Sequence, residues 1–171
     1  MFAARDPLDV DRFFRGLAEH AFHGRLGVVD PPLVEYVSGL LVRFLRGDGL
    51  RPPPDGRTMV RHAAHGDAAS GAMPAEPVRW MIAVVSGAAP EPGVEDFRWI
   101  GDTTLFWSGL YPEALPRIAP VDFRSLGRRA YWIASTLGPE PAAERGIYAR
   151  LSHEFDVCVA GLAEVRRAWG E

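Results

Sequence analysis

The sequence predicts an all-α fold: a single compact bundle of about seven or eight helices that spans residues 1–171 as one domain. Apolar residues recur at intervals of three and four, the period of an amphipathic helix. Clusters of glycine and proline divide these stretches into segments of helix length. Only Val78 to Ser86 has the continuous apolar character of a buried strand, and no second strand candidate exists to satisfy its backbone groups. That segment is therefore predicted to be a buried helix.

The first helix is indicated by an apolar stripe between Val10 and Phe22. Asp6 or Asp9 is the predicted cap, and Gly24 is the predicted end. Residues 30–32, Asp-Pro-Pro, open a second amphipathic helix that continues to Leu45. Because the connection is short, the two helices are expected to pack as an antiparallel hairpin.

A segment rich in glycine and proline, residues 46–57, follows the hairpin and predicts a surface linker. A short helix is expected from Thr58 to about Gly66. Residues 87–93 form a predicted turn that leads into the next helix.

The central helix is predicted from the stretch between Glu95 and Glu113. One face carries residues at helical spacing, and these are Phe97, Ile100, Gly101, Thr104, Leu105 and Ser108. Since glycine and serine on an apolar face allow a close neighbour, this helix is placed at the centre of the bundle. Arg98 and Asp102 are four residues apart, so they are expected to pair.

The C-terminal part predicts four more helical segments. A short one runs from Glu113 to about Ile118, and a longer one runs from Asp122 to Gly138. Pro141 opens the next, and the tail from Asp156 continues as the last.

The run from Arg98 to Glu113 resembles a motif, Arg-x-x-Gly-Asp-Thr-x-Leu-Phe-x-x-Gly-x-Tyr-Pro-Glu, of a family of uncharacterised bacterial proteins. Asp122-Phe123 with Gly127 and Ala130-Tyr131 resembles that family's second block. The resemblance covers about forty residues. It implies a helical fold and supplies no activity or cofactor.

Composition narrows the class of protein. A net charge of −3 argues against broad nucleic-acid binding, and the absence of lysine excludes Schiff-base chemistry. The single cysteine, Cys158, excludes an intramolecular disulfide and fits a reducing compartment. No signal peptide and no membrane-spanning run is recognised, so the expected location is the cytoplasm.

Candidate chemistry is sparse. His20 with His23, and His62 with His65, have a spacing that would suit a metal site, but both pairs precede a glycine, where histidine commonly meets free helix carbonyls. We therefore predict no metal and no cofactor. Cys158 lies in an apolar run and is expected to be a buried side chain rather than a nucleophile.

The candidate ligand or interface residues are Arg98, Asp102, Trp107, Tyr111 and Tyr131. The abundance of aromatic residues favours a helical interaction or accessory protein that self-associates as a homo-oligomer or binds an unknown protein partner. The alternative is a bundle with a pocket near Arg98, Tyr111 and Tyr131 for a small apolar or haem-like ligand. An enzyme is the third hypothesis, because no catalytic set stands out.

Overall fold

The computed structural model describes residues 7–47, 75–89, 91–115, 121–137 and 142–170. Within these ranges the chain forms seven α-helices and no strand, which confirms the predicted all-α bundle. The helices are α1 (Pro7–Glu19), α2 (Pro31–Leu45), α3 (Ala75–Ser86), α4 (Val94–Leu110), α5 (Phe123–Leu137), α6 (Ala142–His153) and α7 (Phe155–Gly170). None of the helices in the described ranges is long and apolar enough to cross a membrane.

The first helical segment does not end at Gly24, so that prediction is wrong. α1 passes into a π-helical segment, His20–Arg25, and the chain turns only at Gly27, whose φ of +68° suits glycine. The ring of Phe22 is fully buried against Gly161 of α7, where a Cβ atom would collide with it. Packing of this ring against α7 therefore outweighs the low helix propensity of Gly24.

α1 and α2 form the predicted antiparallel hairpin. Arg46, just past the end of α2, pairs with Asp11 near the start of α1 at 3.3 Å. Arg15, later in α1, pairs with Glu35, early in α2, at 3.1 Å. Both ion pairs are exposed, so they report the direction of the helices more than they stabilise them.

The ambiguous segment Val78 to Ser86 is helical, since it lies within α3. Arg46 and Gly47 form the turn after α2. The remainder of the predicted linker and the short helix expected from Thr58 lie outside the described residues.

α4 is the central helix, and thirteen of its seventeen residues are buried. It packs most extensively against α5 and next against α7. A Cβ atom at Gly101 would come within 2.7 Å of the Tyr131 ring, and one at Gly127 of α5 would collide with Thr104. The small residues of the motif thus allow the close approach that was predicted, and at Gly101 the neighbour is an aromatic ring.

The chain after α4 forms a 3-10 turn, Pro112–Ala114, and Leu115 is extended. The rest of the helix that was expected to reach Ile118 lies outside the described residues. α5 then begins as predicted at Asp122, whose carboxylate accepts hydrogen bonds from the backbone N–H groups of Arg124 and Ser125 at 3.0 and 3.3 Å. Gly138 and Pro141, the predicted boundaries of the next two helices, lie outside the described residues.

Candidate functional site

Asp102 is a buried carboxylate on α4, with a side chain that is 7% exposed. The hydroxyls of Tyr36 and Tyr131 each donate a hydrogen bond to its Oδ1 at 2.7 Å. Arg43 Nη2 donates to its Oδ2 at 3.0 Å. The charge is therefore balanced by one cation and two hydroxyls, as a buried carboxylate requires.

Three tyrosine rings pack together beside this carboxylate. Tyr36 meets Tyr131 and Tyr148 edge to face, with centroids 6.4 and 6.2 Å apart, and Tyr131 stacks on Tyr148 at 6.3 Å. The guanidinium of Arg43 lies 5.3 Å from the centre of the Tyr36 ring. We call Asp102, Tyr36, Arg43, Tyr131 and Tyr148 the Asp102 cluster. It joins α2, α4, α5 and α6.

The tyrosines that donate to Asp102 are held in their neutral form. Burial, and next the negative charge of Asp102, raise the pKa of both Tyr36 and Tyr131 well above the ordinary tyrosine value. A phenolate here would be desolvated and repelled by the carboxylate. Both hydroxyls are consequently hydrogen-bond donors at neutral pH and not bases.

Arg98 does not take the partner that its four-residue spacing from Asp102 predicts. Its Nη2 lies 2.7 Å from Oε2 of Glu95, whereas the ion-pair partner of Asp102 is Arg43 from α2. Burial opposes the charge of Arg98, but the carboxylates of Glu95 and Asp102 outweigh it and raise the pKa of the guanidinium. Within the described part of the chain, the buried Nε of Arg98 has no hydrogen-bond partner.

The other end of α4 is held by Arg166 of α7. Arg166 donates to the backbone oxygen of Leu110 at 2.5 Å and to both carboxylate oxygens of Glu113 at 2.6 and 3.0 Å. Its guanidinium also lies 5.2 Å from the centre of the Tyr111 ring, and Trp107 is half-buried with its ring 5.9 Å from Tyr111. The Tyr-Pro-Glu end of the motif is thus explained by packing and helix termination.

The five candidate residues divide into two groups. Arg98, Asp102 and Tyr131 come together, and Trp107 and Tyr111 lie at the opposite end of α4. At 1.5 Å per residue, Arg98 and Tyr111 are separated by roughly 20 Å along the helix. No single small pocket can therefore be lined by Arg98, Tyr111 and Tyr131, and the Tyr131 ring is fully buried.

Three members of the Asp102 cluster, Tyr36, Arg43 and Tyr148, carry no motif that identifies them from the sequence. Tyr36 and Arg43 are seven residues apart, so they lie on the same face of α2. The tyrosine hydroxyl and the arginine cation at that spacing on a mostly apolar helix were the features of the sequence that could have indicated them. Tyr148 belongs to an ordinary apolar stripe, and the packing of α6 against α5 and α2 brings it into the cluster.

The histidine and cysteine candidates supply no site within the described ranges. His20 and His23 are exposed, and no group of three or more His, Cys, Asp or Glu side chains in those ranges is placed to hold a metal ion. His62 and His65 lie outside the described residues. Cys158 is fully buried, and burial raises the pKa of its thiol to about 12. Its side chain is therefore a neutral thiol at physiological pH.

The outer face of α5 is the surface formed by Ser125, Arg128, Arg129, Trp132 and Thr136, all of which are exposed. Trp132 is 59% exposed, which makes it the most exposed aromatic side chain among the described residues. Arg128 pairs with Asp156 of α7 at 2.5 Å. α5 contains no acidic residue.

Comparison of the chain with protein-family models, curated proteins and solved structures finds no match. The resemblance of the Arg98 to Glu113 run to a bacterial family stays a prediction.

Proposed function

We propose that this protein works by association with other protein molecules, and that it associates first with a second copy of itself through the outer face of α5. Trp132 carries the proposal, because it is 59% exposed on a helix whose opposite face lies in the core. Tryptophan and arginine are the residues most enriched at the energetic centres of protein interfaces. Arg128 and Arg129 each lie one helical turn from Trp132, so the outer face of α5 contains both of these residue types.

The contact surface differs from the one that the sequence favours. Trp107 is half-buried, and Tyr111 lies beneath Arg166, so both rings already have partners within the chain. The hydroxyls and the carboxylate of the Asp102 cluster also bond to each other. These internal contacts support a structural role for α4 and leave α5 as the better candidate for an interface.

The charges of α5 favour an antiparallel contact around a two-fold axis beside Trp132. In that arrangement each Trp132 packs on its counterpart, Arg128 faces Thr136, and Arg129 faces Ser135. A parallel contact would place arginine against arginine on a helix without acidic residues, which is unfavourable. A helix of this length offers a strip roughly 22 Å long and about 10 Å wide, well below a standard interface. The association is therefore expected to be weak and dependent on concentration.

The first experiment is sedimentation equilibrium across a wide range of protein concentrations. The wild-type chain should move from 18.8 kDa towards twice that mass as its concentration rises, and Trp132→Ala should stay monomeric. Trp169→Ala is the matched control, because Trp169 is also exposed, at 41%, and lies on α7. A wild type that is monomeric at every concentration, or a Trp132→Ala variant that associates normally, would refute the proposal.

A second experiment tests the orientation of the two copies. Arg128→Cys combined with Thr136→Cys, which keeps Trp132, should form a disulfide-linked dimer under mild oxidation, because the antiparallel contact places residue 128 of one copy opposite residue 136 of the other. The wild type is the control, since Cys158 is buried and should give no cross-link. A concentration-dependent dimer of this double variant that forms no disulfide between the introduced thiols would show that the copies meet through another face.

A further inference from the structure

Asp102 is a proton acceptor that two phenols share. The hydroxyls of Tyr36 and Tyr131 both donate to its Oδ1 at 2.7 Å, which is the length of a hydrogen bond between a hydroxyl and a charged carboxylate. Arg43 binds the other oxygen, Oδ2, at 3.0 Å and leaves Oδ1 to the two phenols. A proton can therefore move from a phenol to the carboxylate along a hydrogen bond that already exists.

The rings of Tyr36, Tyr131 and Tyr148 form a continuous aromatic group. The centroid of each ring lies within 6.4 Å of the other two. Tyr131 is fully buried and Tyr36 is half-buried, so the group extends from the core towards the surface. Electrons pass between aromatic rings in close contact. An oxidant outside the protein therefore does not need to touch Tyr131 in order to take an electron from it.

The position of Tyr131 protects a phenoxyl radical on its ring. Besides Tyr36 and Tyr148, the ring of Phe155 packs against it with a centroid separation of 6.1 Å. No part of Tyr131 is accessible to solvent. Two radicals on different molecules consequently cannot meet and couple through this ring, which is the usual fate of an exposed tyrosyl radical.

The charges around Tyr131 also suit its oxidation. A phenol that loses an electron becomes a strong acid, so its oxidation in a protein core requires a base close by. Oδ1 of Asp102 is the acceptor that the Tyr131 hydroxyl already contacts. After the proton moves, both groups are neutral, which avoids a new charge in the apolar interior. Arg43 loses its counter-charge, but its side chain is 38% exposed, so water can solvate the guanidinium.

We propose that Tyr131 is a site of reversible one-electron oxidation, with Asp102 as its proton acceptor. The electron passes to a one-electron oxidant in solution, such as a peroxyl radical, which becomes a hydroperoxide anion. The phenolic O–H bond breaks, and the proton forms a new O–H bond at Oδ1. An enediol reductant such as ascorbate returns one electron, and the proton moves back to the phenol oxygen. This activity is separate from the outer face of α5 and does not depend on self-association.

The experiment oxidises the full chain with photogenerated tris(bipyridine)ruthenium(III) and follows the radical by electron paramagnetic resonance. Ring-deuterated tyrosine distinguishes tyrosyl from tryptophanyl signals. The wild type should give a long-lived tyrosyl signal, and Tyr131→Phe should lose it. Tyr111→Phe is the matched control and should keep the signal, because the Tyr111 ring contacts Arg166 and lies away from Asp102. A signal of wild-type lifetime in Tyr131→Phe, or only tryptophanyl signals in the wild type, would overturn the proposal.

The role of Asp102 is tested by Asp102→Asn, whose amide oxygen can accept both hydrogen bonds but is a far weaker base. This variant should lose most of the signal, whereas Glu95→Gln, which removes an exposed carboxylate from the same helix, should keep it. Circular dichroism separates the loss of the base from a loss of the fold. A folded Asp102→Asn variant with the wild-type yield of radical would show that Asp102 does not take the proton.

The wild type gives a further test that needs no variant. Because the electron and the proton leave Tyr131 together, the radical should form more slowly in deuterated water once the hydroxyl has exchanged. Equal rates in the two solvents would contradict proton transfer along the hydrogen bond to Oδ1.

Discussion

Replacing Asp102 by alanine should destabilise the fold far more than replacing any exposed acidic residue. The change removes the acceptor of two tyrosine hydroxyls and the ion-pair partner of Arg43. None of these donors has another acceptor assigned within the cluster. The expected cost is therefore set by how easily each donor can reach water instead.

The magnitude follows from the three donors taken in turn. The Tyr131 ring is fully buried, so its unpaired hydroxyl costs about 1–3 kcal/mol. Tyr36 is half-buried and adds about 1 kcal/mol. Arg43 is 38% exposed and can turn towards water at little cost. Asp102→Ala should thus lose about 2–4 kcal/mol, a large part of the 5–15 kcal/mol that is typical of a whole domain.

The assay is urea unfolding followed by circular dichroism, with the free energy extrapolated to water. Glu35→Ala is the control, because it breaks the exposed pair with Arg15 and should cost at most about 1 kcal/mol. Tyr131→Phe removes one donor but leaves Asp102 with two, so its cost should be intermediate. A loss below about 1 kcal/mol for Asp102→Ala would refute the view that this carboxylate holds the four helices together.

Three further predictions concern pH, packing and thiol reactivity. Burial raises the pKa of the Tyr131 hydroxyl in the folded state, so this hydroxyl stabilises the fold fully at pH values below its unfolded-state pKa, which is near 10. That contribution is lost as the pH rises above this value. The free energy of unfolding should therefore fall less between pH 10 and 11 in Tyr131→Phe than in the wild type. Gly127→Ala should lower the free energy of unfolding by about 1–3 kcal/mol, because the added Cβ meets Thr104. Gly146→Ala, where the added Cβ has open space, should raise it by up to about 1 kcal/mol. Equal stability of the two variants in urea unfolding would contradict this packing. Cys158 should react with a thiol reagent only as fast as the protein unfolds, and rapid labelling of the native protein at pH 8 would disprove its burial.

The helical class and most helix starts could be predicted because they depend on local chemistry. Asp30 and Asp122 are capping residues whose effect lies within one turn, and both begin a helix as predicted. Val78 to Ser86 is helical because a lone strand has no partner for its backbone. The glycines of α4 likewise predict close packing from sequence alone, because a neighbouring helix can come near the backbone where there is no side chain to fill the space.

The errors arise where a distant contact competes with a local preference. Gly24 is a poor helix residue, but the contact of Phe22 with Gly161 carries the helix past it. Arg98 and Asp102 have a favourable spacing for a pair, but Arg43 reaches Asp102 from a helix fifty-nine residues away in the chain. A pattern within one helix contains no information about which side chains another helix brings to it.

Periodicity, caps and small residues act over a few positions, so the amino-acid pattern alone predicts a helical bundle with one unusually buried helix. The packing of the helices, in contrast, places Asp102 between two tyrosines and an arginine, leaves Trp107 and Tyr111 partly buried, and leaves Trp132 exposed. Which face of a helix is enclosed depends on how the helices pack, and burial then sets the charge state and the available partners of every polar group on that face.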